Sequence, residues 1–327
     1  MQKKGEISIV FKYALVLVSG IIILAFFIGF AFNIQRTGEK LQATEVRETL
    51  NDYLVALSSS SYNLQTPADL KIKTRLSFNT PICQHFIVQQ LNGVSAPAEY
   101  SHIIYAPRSL FGKSLEVWKM GWFYPYYITN FFFITNKRTK VVLVGDQEFI
   151  IELLDEIPPN LNVGIGNSVN IKDYADDSKN YEHVKIIAFS NVQPQEQDNV
   201  QLISIKPFES SCRTQVDGTD KFKCHGTIAF PSGAAEFYGK TMMYGAFFTD
   251  HVTDYECNFE AAEKQLKLVS AVYGNKQLLL RSKLSGCGLY NLGFDWSQDG
   301  AGWNEKATSL YSANDHLGSR RDCAYVF

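Results

Sequence analysis

A chain of 327 residues with a formal net charge of −2 and 20% charged residues has no electrostatic surplus for gripping a polyanion, and no basic stripe interrupts it, so nucleic-acid binding is excluded. Hydrophobic residues make up 46%, with 17 Tyr, 23 Phe and 4 Trp, enough for one large well-packed body or two smaller ones.

The first predicted element is the most informative. Residues 13–34, YALVLVSGIIILAFFIGFAFNI, run from Tyr13 to Ile34 without a charge. At about 1.5 Å per residue such a helix crosses a hydrocarbon core of about 30 Å. Lys3, Lys4 and Lys12 precede it and Arg36 and Lys40 follow, a bias that puts the N-terminus in the cytoplasm and the body outside. Two other readings exist. A cleaved signal peptide has an apolar core of about 7–15 residues and a small-residue cleavage site. A buried core helix needs covering on all sides.

Beyond the span, Leu41, Val46, Leu50, Tyr53, Leu54 and Leu57 form a helical stripe separated by charged residues. They predict a stalk helix over 35–58 packed on the body, with Gly38 as a break or kink. Two or three imperfect heptads are too few for a coiled coil. Residues 58–81 read as a linker around a short strand at 70–78. Strands are predicted at 103–105, 114–118 and 126–135, with a turn at Phe111-Gly112-Lys113. In the aromatic run 121–133, alternation places Tyr127, Thr129, Phe131 and Phe133 on one face and Tyr126, Ile128, Asn130 and Phe132 on the other. Two apolar faces imply a central strand; the alternative is an aromatic binding surface.

KVVLVGD (140–146) predicts a strand leading into a helix with Phe149, Ile150, Leu153, Leu154 and Ile157 on one side, ended by Pro158-Pro159. Strands follow at 162–165, 169–171, 183–189 and 200–205, with a polar loop at 191–199. Apolar strands interleaved with a helix suggest a partly parallel sheet. Further strands are expected at 226–230 and 241–248. A helix capped by Asn258 carries Phe259, Ala262, Leu266, Val269 and Tyr273 and stops at Gly274-Asn275. A second helix covers 276–284, and loops with short helices fill the last 40 residues.

Six cysteines outside the cytoplasm suggest disulfides. Cys212 and Cys224 flank a turn at Asp217-Gly218 and form the best local pair. Cys257 with Cys287 and Cys83 with Cys323 complete one of 15 pairings; buried free thiols are the alternative.

Lys3-Lys4-Gly5 followed by a short polar start and a long apolar helix resembles archaeal class III signal peptides and type IV pilin-like proteins. The resemblance implies cleavage between Gly5 and Glu6, with the apolar helix retained. Pilins of the bacterial type carry Glu at the fifth mature position, where this chain has Val10. Residues 238–250 and 255–276 are similar to parts of uncharacterised single-span archaeal surface proteins, which implies topology but no activity.

No residue is nominated as catalytic, cofactor-binding or metal-binding, and no cofactor is expected. Gly145-Asp146 closes a strand where open α/β sheets place ligands, but the glycine patterns of nucleotide sites are missing. Asp250-His251 and Asp315-His316 are adjacent pairs at expected loop positions, each half of an acid–base site or, by default, a surface cap or turn, and Ser319-Arg320-Arg321-Asp322 reads as a solvated charge cluster, with an anion grip as the alternative.

The expected architecture is an α/β body, a mixed β-sheet with flanking helices, behind one N-terminal transmembrane helix. Residues 1–34 are leader and span, 35–58 stalk, and 59–327 a disulfide-stabilised extracytoplasmic body with a division near 208. The implied role is a membrane-anchored structural or interaction protein, pilin-like, with the bilayer as one partner and a protein or a second copy as another. Alternatives are a subunit of a membrane complex and a surface-tethered hydrolase with a site near Asp146.

Overall fold

The computed structural model describes residues 3–60, 64–78, 85–89, 95–99, 102–207, 212–213, 220–284, 293–294, 296, 302–319 and 323–327. Helix α1 (Lys3–Ser58) is unbroken for 56 residues, straight through Gly38. A Cβ at Gly38 would meet nothing within 4 Å, so this glycine gives the helix no close approach that would bend it. The stripe is nearly as expected. Ala43, Val46, Leu50, Leu54 and Leu57 are buried, whereas Leu41 points outward, 71% exposed.

The stalk packs on a six-stranded sheet. Its strands are β1 (Leu64–Ser77), β2 (His85–Gln89), β3 (Ser95–Glu99), β4 (Ile103–Tyr105), β5 (Ser109–Phe123) and β6 (Tyr127–Thr135), in the order β3-β2-β1-β5-β6-β4. All pairings are antiparallel except β4 with β6. The expected linker at 58–81 is therefore the end of α1 and a 14-residue strand. The expected turn at 111–113 lies inside β5, opposite a bulge where β1 shifts register between Asp69 and Thr74. A glycine in a strand marks a bulge as readily as a turn.

Strand β6 is central and two-faced, as its pattern predicts. Phe132 and Ile134 join the stalk side with Leu50 and Leu54, while Phe131 and Phe133 join the opposite core with Trp118 and Tyr105. Tyr126 is 4% exposed and Phe132 0%, so neither belongs to an aromatic binding surface.

The second sheet contains β7 (Thr139–Val144), β8 (Val163–Ile165), β9 (His183–Ala188), β10 (Gln195–Gln197), β11 (Val200–Pro207), β12 (His225–Phe230) and β13 (Gly233–Tyr238). The order is β13-β12-β11-β9-β7-β8, with β10 paired to the start of β11. Strands β8, β7, β9 and β11 are parallel; the β12–β13 side is antiparallel. Helices α2 (Gln147–Glu156), α3 (Asp177–Asn180), α4 (Asp220–Lys223), α5 (Lys240–Phe248), α6 (Val252–Lys283) and α7 (Trp303–Gly318) flank the sheets. The large core draws on both sheets and on α2, α5, α6 and α7.

Five sequence expectations fail here. Residues 169–171 make no strand; a 3-10 turn at Ile171–Tyr174 takes their place, capped by the Asn170 side chain. The polar loop at 191–199 holds the short strand β10. Residues 241–248 are helical, because all nine residues of α5 are buried and leave no polar face to reveal the period. Helix α6 starts at Val252, where His251 caps the Thr253 amide, and it passes through Gly274 without a break. The last 40 residues contain the 16-residue α7. Buried packing offsets the helix cost of a glycine, about 1 kcal/mol.

Candidate functional site

Two features of this fold carry functional information. The first is the bare part of α1. Every Val, Leu, Ile and Phe from Val16 to Ile34 is about half exposed or more, and no part of the apolar window is buried. At 22 residues, the stretch 13–34 is about 33 Å long. The same helix then fastens to the body at its C-terminal end. Lys119 Nζ donates to Leu57 O at 3.1 Å, to Ser60 Oγ at 2.9 Å and to Ser60 O. Tyr53 donates its hydroxyl to Thr66 O at 2.9 Å. Burial pushes the Lys119 ammonium below its ordinary pKa. A cation at a helix C-terminus also meets the negative end of the helix dipole.

Disulfides reinforce the body. Cys212 and Cys224 are bonded, with Cα atoms 4.2 Å apart, as their spacing suggests. Cys257 and Cys323 are each disulfide-bonded as well. No free thiol occurs among the described residues. The expected partners Cys287 and Cys83 lie outside the described residues.

The residues whose types drew attention in the sequence stand apart from one another. Asp146 caps α2 through Phe149 N at 2.9 Å and pairs with Arg213 Nη2 at 2.9 Å. Around Gly166 the packing is tight, since a Cβ there would collide with Val142 Cγ1, whereas one at Gly164 would meet nothing within 4 Å. Asp315 and His316 lie inside α7. Arg320, Arg321 and Asp322 fall outside the described residues. Among the described residues no group of three or more His, Cys, Asp or Glu is arranged to hold a metal.

The second feature is a polar cavity of about 260 Å³ around Asp250, in the connection between α5 and α6. Its inner wall is Lys185 on β9, Gln201 on β11 and Asp250. Lys185 and Gln201 are register partners on neighbouring parallel strands and share a face with Ile187 and Ile203. Lys185 Nζ stands 2.8 Å from Asp250 Oδ1 as an ion pair; the ammonium is 1% exposed. Asp250 is the one acceptor that Lys185 Nζ meets among the described residues. Gln201 Nε2 donates to Asp250 O at 2.5 Å, while Gln201 Oε1 is buried without a donor. Asp250 Oδ2 accepts the Arg108 backbone amide at 2.7 Å, and Arg108 Nε reaches Asp254 Oδ2 at 2.7 Å.

Around the mouth stand Glu182, Glu196, Asp198 and His251. Asp198 sits at φ 55 in the β10–β11 turn, a conformation that aspartate tolerates. Burial pushes Lys185 below its usual range, against the pull of Asp250. Burial works to raise Asp250, but Lys185, His183 and the Arg108 amide hold it below the ordinary carboxylate value.

The cavity opens at the amino ends of β9 and β11, at the opposite end of the parallel strands from Asp146. Asp250-His251 was visible in the sequence as a pair, but only Asp250 turns inward to an ion partner. Lys185 was visible too, as the one charge in the apolar run 183–189. Gln201 and Arg108 had no signal. No protein-family model, curated protein or solved structure matches this chain, so the reading of both features rests on their own geometry.

Proposed function

We propose that the protein is a single-pass membrane protein whose α/β body acts outside the cytoplasm as a structural or interaction module. Residues 13–34 lie in the bilayer and the N-terminus faces the cytoplasm. The observation that carries this reading is the division of one unbroken helix. Its apolar half is bare, and its amphipathic half is buried on β1, β5 and β6 and held by Lys119. A core helix of a water-soluble protein would be covered along its length. The paired cysteines support the sidedness, since disulfides persist in oxidising compartments. The basic leader and apolar helix support the pilin-like form of the reading, in which Glu6 is the first mature residue.

The test is protease treatment of intact cells and of inverted vesicles, with the intact mass of the purified chain measured with and without reductant. The body should be cleaved only in intact cells, and the chain should resist carbonate extraction. A mass lacking residues 1–5 and rising on reduction supports the processed, oxidised form. A soluble chain, or a body protected in intact cells, overturns the proposal.

A further inference from the structure

We infer that the exposed face of α6 between Lys264 and Lys283 docks an amphipathic helix of a partner protein, one with carboxylates along both borders of its apolar seam. Among the described residues outside α1, the four most exposed large apolar side chains are Leu268, Val272, Leu278 and Leu279, at 62–66%, and all four stand on this helix. Leu268, Val272, Asn275 and Leu279 recur at intervals of four, three and four, so they form one seam, with Leu278 on its border. Alternating steps of three and four are the spacing by which two helices interlock side chains. The opposite face of α6, with Tyr255, Ala262, Leu266 and Ser270, is buried on the body. The seam is therefore ordered before any partner arrives, and a short one suffices.

Charge selects the occupant. From Lys264 to Lys283 the helix carries five cations and no carboxylate, in a chain of net charge −2. Lys267 is matched by Glu263 at 2.7 Å, whereas Lys264, Lys276 and Lys283 stand exposed beside the seam. Charges on the borders of a helical seam set partner choice, and like charges there repel. A second copy of this chain brings the same cations and is disfavoured; an acidic helix is complementary. An anionic bilayer is acidic too, and position separates the cases. Helix α6 runs antiparallel along β6: Asn258 Nδ2 donates to Ile104 O at 2.7 Å, beside Phe132, and Ser270 shares a hydrogen bond with Tyr126, just before the strand begins. The stalk leaves that end of the sheet. Leu57 O meets Lys119, and one turn earlier Tyr53 meets Thr66, the register partner of Val117, so α1 heads toward the start of β5. Residues 268–283 thus stand at the end of the body turned away from the bare half of α1, and a bilayer around that half does not meet them; this step rests on the anchored reading proposed above. The chain beyond α6 returns on the other side, where Phe294 joins Tyr273, Leu280 and Leu284 against Leu317 and Val326.

Fluorescence anisotropy tests the inference on the full chain in nanodiscs of phosphatidylcholine, with empty nanodiscs as the blank. One labelled peptide carries leucine along a helical seam and glutamate on both borders; a second carries lysine on the borders. The glutamate peptide should bind about tenfold tighter than the lysine peptide, and weaken several-fold as salt rises from about 50 to about 500 mM. Leu268→Ser with Leu279→Ser should weaken it about tenfold or more, and because both side chains are exposed the fold is not at stake. Lys276→Glu with Lys283→Glu should reverse the preference in favour of the lysine peptide, a change that unfolding does not mimic. Absent or equal binding of the two peptides, or an unaltered preference in the charge-reversed chain, overturns the inference. So does a dimer in sedimentation that Leu268→Ser abolishes, which gives the seam to a second copy. Flotation with added phosphatidylglycerol vesicles, without peptide binding, gives it to lipid and overturns it as well. Failure of the chain to insert into nanodiscs sinks the anchored reading instead, and the same titration on the soluble chain still decides the seam.

Discussion

Lys119, buried in the middle of β5, donates its ammonium to the carbonyl of Leu57 at 3.1 Å and so ties the last turn of α1 to the sheet. The same ammonium reaches Ser60, and Asn130 on β6 donates to Ser58 O at 3.4 Å. Helix ends leave four carbonyls without intrahelical donors. Here a sheet lysine reaches the Leu57 carbonyl and a sheet asparagine the Ser58 carbonyl, so side chains of the sheet tie the end of the helix to the body.

Replacing Lys119 by Met keeps the bulk and removes the donors. The Ser60 carbonyl loses this donor in a part-buried setting, while Leu57 O keeps the Ser60 amide at 3.1 Å, so the expected cost is about 1–3 kcal/mol. Chemical denaturation of the full chain in detergent should show a lower midpoint, and limited proteolysis should cut sooner near residues 57–60.

The Lys185–Asp250 pair makes the body acid-sensitive. Asp250 is held below its unfolded value of 3.8, so its contribution is present above that value and is lost as pH falls through the lower folded value. Protonation leaves Lys185 charged and unpaired in the interior. Asp250→Asn should destabilise at neutral pH by about 3 kcal/mol and flatten the loss of stability below pH 4. Thermal unfolding across the acid range reads both effects.

His102 titrates at higher pH. Its ring packs 5.1 Å from that of Phe132, its Nε2 meets no partner among the described residues, and burial lowers its pKa from 6.5. The unfolded chain therefore binds the proton more readily, and stability falls as pH drops below 6.5 toward the folded value. His102→Phe should remove this slope between pH 7 and 5 while leaving the Asp250 step at lower pH.

Gly245 lies where α5 crosses the Tyr105 ring. An added Cβ would stand 2.6 Å from Tyr105 Cε1, and that ring is held by Phe131 and Phe133. Gly245→Ala should cost about 1–3 kcal/mol through overpacking, despite the better helix propensity of alanine. An unfolding midpoint at or above that of the parent would contradict the contact.

Opening the Cys212–Cys224 bridge should cost about 2–3 kcal/mol, the magnitude expected for a short loop. Cys212→Ala with Cys224→Ala, compared with the parent by denaturant titration, measures it.

Much of the framework was legible from local pattern. The stalk stripe, the two-faced β6 and the amphipathic α2 each carry a period that matches the surface they bury, and the apolar rod shows as an unbroken uncharged run. The Cys212–Cys224 bridge followed from spacing alone. These features were readable because each depends on neighbours within one segment.

Tertiary contact decided the rest. Helix α5 is enclosed on every side, so its residues show no period, and its helical state is set by Gly239 and by the space beside Tyr105. Helix α6 runs past Gly274 because packing further along outweighs a local preference. The cavity joins residues from β9, β11 and the α5–α6 connection, with Gln201 and Asp250 separated by 49 positions and Arg108 further still. No local pattern encodes that meeting. Buried charges and amides acquire partners only when distant strands close around them, and it is that closure which sets Lys185 and Gln201 against Asp250.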